Sequence, residues 1–319
     1  MISEKIKADL EKKQYAVRGN AAVQVCAWNK KYLQERAPCY KQIFYGIHTH
    51  KCMQFSPVPI WCSNECVFCW RPTELMKPDE FKDEDEIEKM VADLIKGRRD
   101  LLSGFGGREG MDLELWKDSL VPDHYAISLS GEPTLYPKLP ELINYLRYEK
   151  KARSIFVVSN GTFPKMIERM DKEKALPDQL YISIVAPNEP LYKKIVNPKQ
   201  KDAWVRFNKT LELVSKIEGR TVLRFTLIRY LNDKKELIPE FTKLFEKAKS
   251  DFIEVKAYMF LGYSQKRLEK SNMPLHKEVK EYTKELLKHL ENYELVDEHA
   301  PSRILLLRRK DSKHKKEMF

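Results

Sequence analysis

The sequence predicts an α/β fold, a partial (β/α)6 barrel of the TIM type with N-terminal and C-terminal additions. Three observations lead there. Short β-type apolar runs alternate with amphipathic helical segments along most of the 319 residues, and repeated βα units build a parallel sheet with right-handed crossovers. About six such runs occur, too few to close an eight-stranded barrel, which leaves an open side for a large substrate. Polar or glycine-bearing turns follow the runs, where parallel βα architectures gather their ligands.

Taken in order, Met1 to Leu10 alternates charged and apolar residues without a signal-peptide core, so a cytoplasmic protein is expected. The first strand is placed at Val58 to Trp61, immediately before a cysteine-rich loop. From Glu84 to Ser103, Ile87, Met90, Val91, Leu94, Ile95, Leu101 and Leu102 recur at helical spacing, with acidic residues ahead and Gly104 beyond. Strands follow at His124 to Leu129, Ser154 to Val158, Gln179 to Ile184, Thr221 to Leu227 and Asp251 to Val255. Helical segments such as Leu139 to Lys150 and Leu237 to Lys249 separate them. A helix at Leu275 to Leu290 and strands at Tyr293 to Val296 and Arg303 to Leu307 read as additions packed on the barrel. The chain thus divides into an N-terminal extension (1–57), a barrel core (58–265) and a C-terminal addition (266–319), with no internal repeat or flexible linker.

Hydrophobic residues make up 42% of the chain, enough for a large core. A mean hydropathy of −0.56 and the lack of a long apolar run argue against a membrane-spanning protein. Fifty-eight Lys and Arg against 47 Asp and Glu give a net charge of +11, which suits a polyanionic partner. From Arg303 to Phe319, seven basic and two acidic residues leave +5. Such a tail either meets a nucleic-acid backbone or is a solvated extension.

All six cysteines lie between Cys26 and Cys69, which in a reducing compartment indicates metal or redox chemistry rather than disulfides. Three of them stand in Trp61-Cys62-Ser63-Asn64-Glu65-Cys66-Val67-Phe68-Cys69-Trp70. Thiolates at this spacing can hold three irons of a [4Fe-4S] cluster and leave the fourth open. S-adenosylmethionine (SAM) suits an open iron, because its amino and carboxylate groups chelate it and one electron then cleaves the sulfonium bond. Zinc is the competing reading, but a structural zinc wants a fourth protein ligand nearby, and none follows Cys69 at ribbon spacing.

The loop resembles the signature of the radical-SAM superfamily, which makes the expected barrel one of the radical-SAM type. In that pattern the backbone beside Phe68 approaches the adenine of SAM; a hydrophobic plug under the loop is the plainer role. Ser130-Gly131-Glu132-Pro133, after the second strand, resembles the superfamily's Gly-Gly-Glu motif with serine in the first position. Gly131 and Glu132 would then orient the methionyl amine. Ser159, Asn160 and Ser183, at the third and fourth strands, resemble residues that contact ribose and carboxylate. Read as residues alone, they form turns and caps.

Cys26, Cys39 and Cys52 are each separated by twelve residues, so the fold must assemble them if they share a metal. Buried apolar cysteine is the alternative. The basic neighbours in Cys39-Tyr40-Lys41 and His50-Lys51-Cys52 favour thiolate and hence ligation. With Phe44-Tyr45-Gly46-Ile47, Ile60-Trp61-Cys62, Phe68-Cys69-Trp70-Arg71, Ser128 to Tyr136 and Phe252 to Gln265, these segments resemble the archaeal 4-demethylwyosine synthase family. Its members are radical-SAM enzymes of wyosine and wybutosine biosynthesis in tRNA, and the resemblance covers nearly the whole chain.

The resemblance implies two [4Fe-4S] clusters facing one cavity: Cys62, Cys66 and Cys69 hold the SAM cluster, and Cys26, Cys39 and Cys52 an auxiliary one. It implies as substrates tRNA(Phe) carrying N1-methylguanosine at position 37, and pyruvate, two of whose carbons close the third ring of 4-demethylwyosine. A 5′-deoxyadenosyl radical would take hydrogen from the N1-methyl group while Lys41 held pyruvate as a Schiff base. An external electron donor is expected, because the segment before Cys26 is too short for the fused flavodoxin-like domain of eukaryotic relatives. The chain is expected to act as a monomer, and Lys256, Tyr258 and Tyr263 are further candidates for substrate contact. The alternatives are another radical-SAM activity, such as glycyl-radical activation, and a non-catalytic metal-stabilised RNA-binding module.

Overall fold

Side chains alternate across each strand, and that alternation decides which layer each one enters. The computed structural model describes residues 2–78, 81 and 85–319. It begins with α1 (Glu4–Lys12), the hairpin β1 (Tyr15–Arg18) and β2 (Ala21–Gln24), then α2 (Ala27–Glu35), α3 (Tyr40–Tyr45) and β3 (Cys52–Ser56). The βα units follow: α4 (Ile87–Leu102), α5 (Leu113–Ser119), β4 (His124–Ile127), α6 (Leu139–Tyr148), β5 (Ser154–Ser159), α7 (Pro164–Lys172) and β6 (Gln179–Ile184). After these come α8 (Glu189–Val196), α9 (Ala203–Val214), β7 (Thr221–Leu227), α10 (Ile238–Ala248) and β8 (Phe252–Ala257). The chain finishes with α11 (His276–Leu287), β9 (Tyr293–His299) and β10 (Ile304–Arg309).

The described residues form one open ten-stranded sheet, ordered β1-β2-β3-β4-β5-β6-β7-β8-β10-β9. Strands β3 to β8 pair in parallel, each with its sequence neighbour. These six are the expected partial barrel. Both edges are extended by antiparallel pairs, β1-β2 against β3 and β10-β9 against β8.

In β5 and β6, Ile155, Val157, Leu180 and Ile182 face the helical layer, while Phe156 and Tyr181 face the concave side. The outer core receives one apolar face from each covering helix; Met90, Val91 and Leu94 of α4 are an example. Helix α3 enters the concave side, where Phe44 and Tyr45 are fully buried against the strand residues. At about 1.5–3 kcal/mol for each large apolar side chain withdrawn from water, this inner packing anchors α3 inside the barrel.

The first parallel strand lies at Cys52–Ser56, not at Val58 to Trp61. Pro57 and Pro59 cannot donate to a ladder, and the segment turns instead, with Trp61 N–H donating to the Val58 carbonyl at 3.1 Å. Met1, and Glu84 at the start of the predicted helix, lie outside the described residues. The basic tail is neither free nor at the cysteine loop. Met318 N–H donates to the Tyr45 carbonyl at 3.1 Å, and Arg220 donates to the Lys315 and Lys316 carbonyls. Phe319 packs 5.7 Å from the His124 ring, with Arg153 over it at 4.7 Å. His124 begins β4, and Arg153 and Arg220 precede β5 and β7, so the tail closes the amino end of the barrel beneath α3.

Candidate active site

Main-chain hydrogen bonds fix the cysteine loop before any ligand is considered. Cys62 N–H donates to the Lys77 carbonyl at 3.1 Å, Glu65 N–H to Asn197 at 3.1 Å and Val67 N–H to Ile195 at 2.9 Å. Arg267 donates from Nε to the Val67 carbonyl at 3.3 Å and from Nη2 to the Cys69 carbonyl. Burial pushes the Cys62, Cys66 and Cys69 thiols up; Cys66 is raised further by Cys69 and Cys62, and Cys62 by Glu132. Burial and the neighbouring Glu132 keep these thiols protonated in the protein alone. A strongly cationic group that takes them as thiolates reverses this, so the donor set fits an iron-sulfur cluster.

Gly131 and Glu132 form the turn that meets this loop. Gly131 has φ +72°, and Glu132 N–H donates to the Trp61 carbonyl at 2.7 Å. The buried Glu132 carboxylate accepts Thr134 N–H at 3.1 Å and Thr134 Oγ1 at 2.5 Å on Oε1, and Asn160 N–H at 2.7 Å on Oε2. Burial raises its pKa against these hydrogen bonds. Asn160 in turn aims its side-chain amide at Ser63 Oγ, 3.2 Å away, with Cys62 Sγ at 3.9 Å. Ser159 Oγ accepts Gly161 N–H at 2.9 Å, a turn-forming role. Ser183 stands half-buried on β6 in register with Arg224 of β7, and Phe68 packs half-buried against the outer core.

The fold also assembles the upstream cysteines. Cys26 and Cys39 are the N-caps of α2 and α3, and Cys52 opens β3. Cys26 and Cys39 both raise Cys52 against Lys41 and Arg98, and Cys39 raises Cys26 against Arg98. Two residues that the sequence reading missed tie them together. Asn29 Nδ2 donates to the carbonyls of Thr49 (2.9 Å), His50 (3.2 Å) and Cys52 (3.1 Å), and its N–H donates to Cys26 Sγ at 3.3 Å. Thr49 Oγ1 accepts Cys39 N–H at 3.1 Å and donates to Gln42 Oε1 at 2.7 Å, with Cys39 Sγ 3.4 Å away.

His50 and Lys51 do not supply the positive charge expected beside Cys52. They turn to Asp118, at 2.8 and 3.0 Å, and Lys51 also to Asp123 at 3.4 Å. The buried Arg98, donating to the His50 carbonyl at 2.8 Å and to Ser119, replaces them. Burial pushes the Cys52 thiol up to about 12. Among the described residues, only His48, Asp123 and His124 hold donor atoms within 4.8 Å of one another, as a single ion requires. Both cysteine triplets are spread wider, which suits a cluster rather than one zinc.

Lys41 projects from α3 to the concave wall, 4.0 Å above the Phe156 ring and 5.3 Å from that of Tyr181. Among the described residues it makes no hydrogen bond or ion pair. Burial, with help from Arg224, draws its pKa below the ordinary lysine range against the opposing pull of Cys52 and Glu254. Glu254 is already satisfied by Arg224 Nε at 2.9 Å and by the Tyr45 hydroxyl at 2.7 Å. Lys256 donates to the Ser302 carbonyl at 3.1 Å, and burial brings it down to about 8. Tyr258 is a core residue bonded to Ser264 Oγ at 2.8 Å, whereas Tyr263 lies half-buried beside the cysteine loop.

An open parallel barrel with three thiols on the loop after its first parallel strand defines a radical-SAM protein, and residues 57–240 match the family model described as Radical SAM superfamily. Residues 247–309 match the model described as Wyosine base formation. The chain is 42% identical to the S-adenosyl-L-methionine-dependent tRNA 4-demethylwyosine synthase of Pyrococcus abyssi, over 95% of its own length and 89% of that protein's. Identity to the same-named protein of Methanocaldococcus jannaschii is 39% over 98% of each. A solved structure of TYW1 with a lysine-pyruvate adduct bound superposes with a TM-score of 0.88 at 37% identity, covering 100% of both chains. The chain belongs to the tRNA 4-demethylwyosine synthase family. Its radical-SAM class implies SAM and a [4Fe-4S] cluster as cofactors. No helix among the described residues is long and apolar enough to cross a membrane.

Proposed function

We propose that this chain converts N1-methylguanosine at position 37 of tRNA(Phe) into 4-demethylwyosine, with two carbons drawn from pyruvate. The observation that carries the reading is Lys41: a buried amine with no carboxylate partner among the described residues, on the concave wall beside an assembled three-cysteine set. The structure with a lysine-pyruvate adduct, similar over the full chain, supports it. Neither an activase nor a non-catalytic RNA-binding module is supported by the relatives.

In this reading Cys62, Cys66 and Cys69 hold the SAM cluster, and Cys26, Cys39 and Cys52 hold a second, auxiliary one. Bound there, the clusters and SAM supply the reducing electron, the hydrogen-abstracting radical and an open iron for the carbon donor. Gly131, Glu132, Ser159, Asn160, Ser183 and Phe68 surround SAM. Asn160 is the member whose orientation beside Cys62 is set by other side chains. Lys41 attacks the keto carbon of pyruvate as the free amine, and water leaves as the imine forms. The aromatic wall of Phe156 and Tyr181 excludes bulk water from that amine, and Arg224 and Lys256 provide positive charge for the carboxylate. The electron comes from an external donor, and the chain works as a monomer in the cytoplasm.

Borohydride reduction of the iron-loaded protein with pyruvate tests the role of Lys41. The expected result is a carboxyethyl group on Lys41 by peptide mass spectrometry, and no label in Lys41→Met. That variant should also lose at least roughly 100-fold of tricyclic-base formation, since a misplaced reactant alone costs that much. Label on another lysine, or full product formation by Lys41→Met, would reject this role.

A further inference from the structure

Trp70 directly follows Cys69 and is 46% exposed. An indole in water is unfavourable, yet its neighbours fix it there. The Arg71 guanidinium lies 4.2 Å from its ring centroid. Arg71 is itself buried, donating to Gln24 Oε1 at 3.0 Å and to the Tyr15 hydroxyl. On the other side, the Trp70 carbonyl accepts Tyr263 N–H at 3.0 Å. Gly262, at φ +55°, permits this approach, because a Cβ there would lie 2.4 Å from that carbonyl oxygen. Arg71 thus covers part of the ring and the main chain is pinned at its carbonyl, while nearly half of the residue stays open.

The turn that holds Trp70 belongs to residues 247–309, which match Wyosine base formation, whereas the cysteine loop belongs to the general superfamily match at 57–240. Trp70 therefore marks where the part of the chain peculiar to this family meets the loop of the radical chemistry. Substrate choice belongs at such a junction. Cationic chemistry is present as well: the exposed Lys266 lies 4.8 Å from the Tyr263 ring centroid, whereas Lys13, 4.7 Å from the same ring, is paired with Asp9. Proteins recognise unstacked RNA bases with fixed aromatic faces, and their backbone with neighbouring cations.

We propose that Trp70 is a stacking platform for an unpaired nucleobase beside the modified base, with Lys266 on the adjoining phosphate. This rests on the tRNA reading above. Filter binding of iron-loaded protein to N1-methylguanosine-containing tRNA(Phe), over a range of salt, tests it. Trp70→Ala should weaken binding roughly 10-fold or more, and Trp70→Phe should stay within about threefold of wild type. Lys266→Glu should weaken binding and flatten its salt dependence by about one phosphate contact. Tyr148→Ala, at a still more open aromatic (65% exposed) on the opposite end of the barrel, should bind as wild type. Wild-type affinity in Trp70→Ala with its iron intact overturns the proposal. Should Trp70→Ala lose iron, Lys266→Glu decides, and unchanged affinity and slope overturn it. A wild-type protein without affinity for tRNA would defeat the synthase reading itself, a failure visible in the wild-type measurement alone.

Discussion

A Cβ on residue 131 would stand 1.8 Å from the Val58 carbonyl oxygen and 2.7 Å from that of Trp61, and φ is +72° there. Gly131 is thus required by the backbone of the cysteine loop as much as by any cofactor. Gly131→Ala should destabilise the fold by at least about 3 kcal/mol in urea unfolding, from strain and clash together. A loss under about 1 kcal/mol would show that the turn yields freely. Motif position alone brings out Gly131 and Glu132. What it hides is that Thr134 and Asn160 already occupy the Glu132 carboxylate, so that glutamate positions Asn160 beside Cys62. Such satisfaction comes from residues distant in sequence and leaves no local signature.

At the scale of elements, Asn29 is the residue that binds the N-cap of α2 to the turn before β3. Its side chain reaches three carbonyls, and leaving buried carbonyls unpaired costs about 1–3 kcal/mol each. With the proposed second cluster on Cys26, Cys39 and Cys52, Asn29→Leu should therefore lose that cluster's iron, so that iron per chain falls by about half, while the spectral response of the first cluster to SAM persists. Full iron content in a folded Asn29→Leu would show that the cysteines hold their place without the clamp. Sequence adjacency misleads at the same turn. His50 and Lys51 flank Cys52 in the chain, yet the 3-10 turn at Thr49–Lys51 directs both toward Asp118. The charge near the thiols comes instead from Arg98 on α4 and Lys41 on α3.

For the whole molecule, the C-terminal residues close the amino end of the barrel, where Met318 joins the inner core and Phe319 covers His124. Removing residues 315–319 should lower Tm by roughly 5–10 °C through the lost apolar burial. The salt dependence of tRNA binding should remain that of the full chain, because the tail lies at the end away from the cysteine loop. A flattened salt dependence in the truncated protein would restore the tail as an RNA contact. Its basic residues dominate the sequence pattern, whereas two apolar side chains decide where it goes.

The alternation of strands and helices, the open parallel barrel and the C-x3-C-x2-C loop follow from the sequence by itself. Periodicity, turn chemistry and ligand spacing act between near neighbours, and this chain writes them plainly. Three things wait for the tertiary structure: the start of the barrel at Cys52 rather than Val58, the meeting of Cys26, Cys39 and Cys52, and the burial of Lys41 against Phe156. Each depends on how distant segments exclude water together, and no local run of residues encodes that.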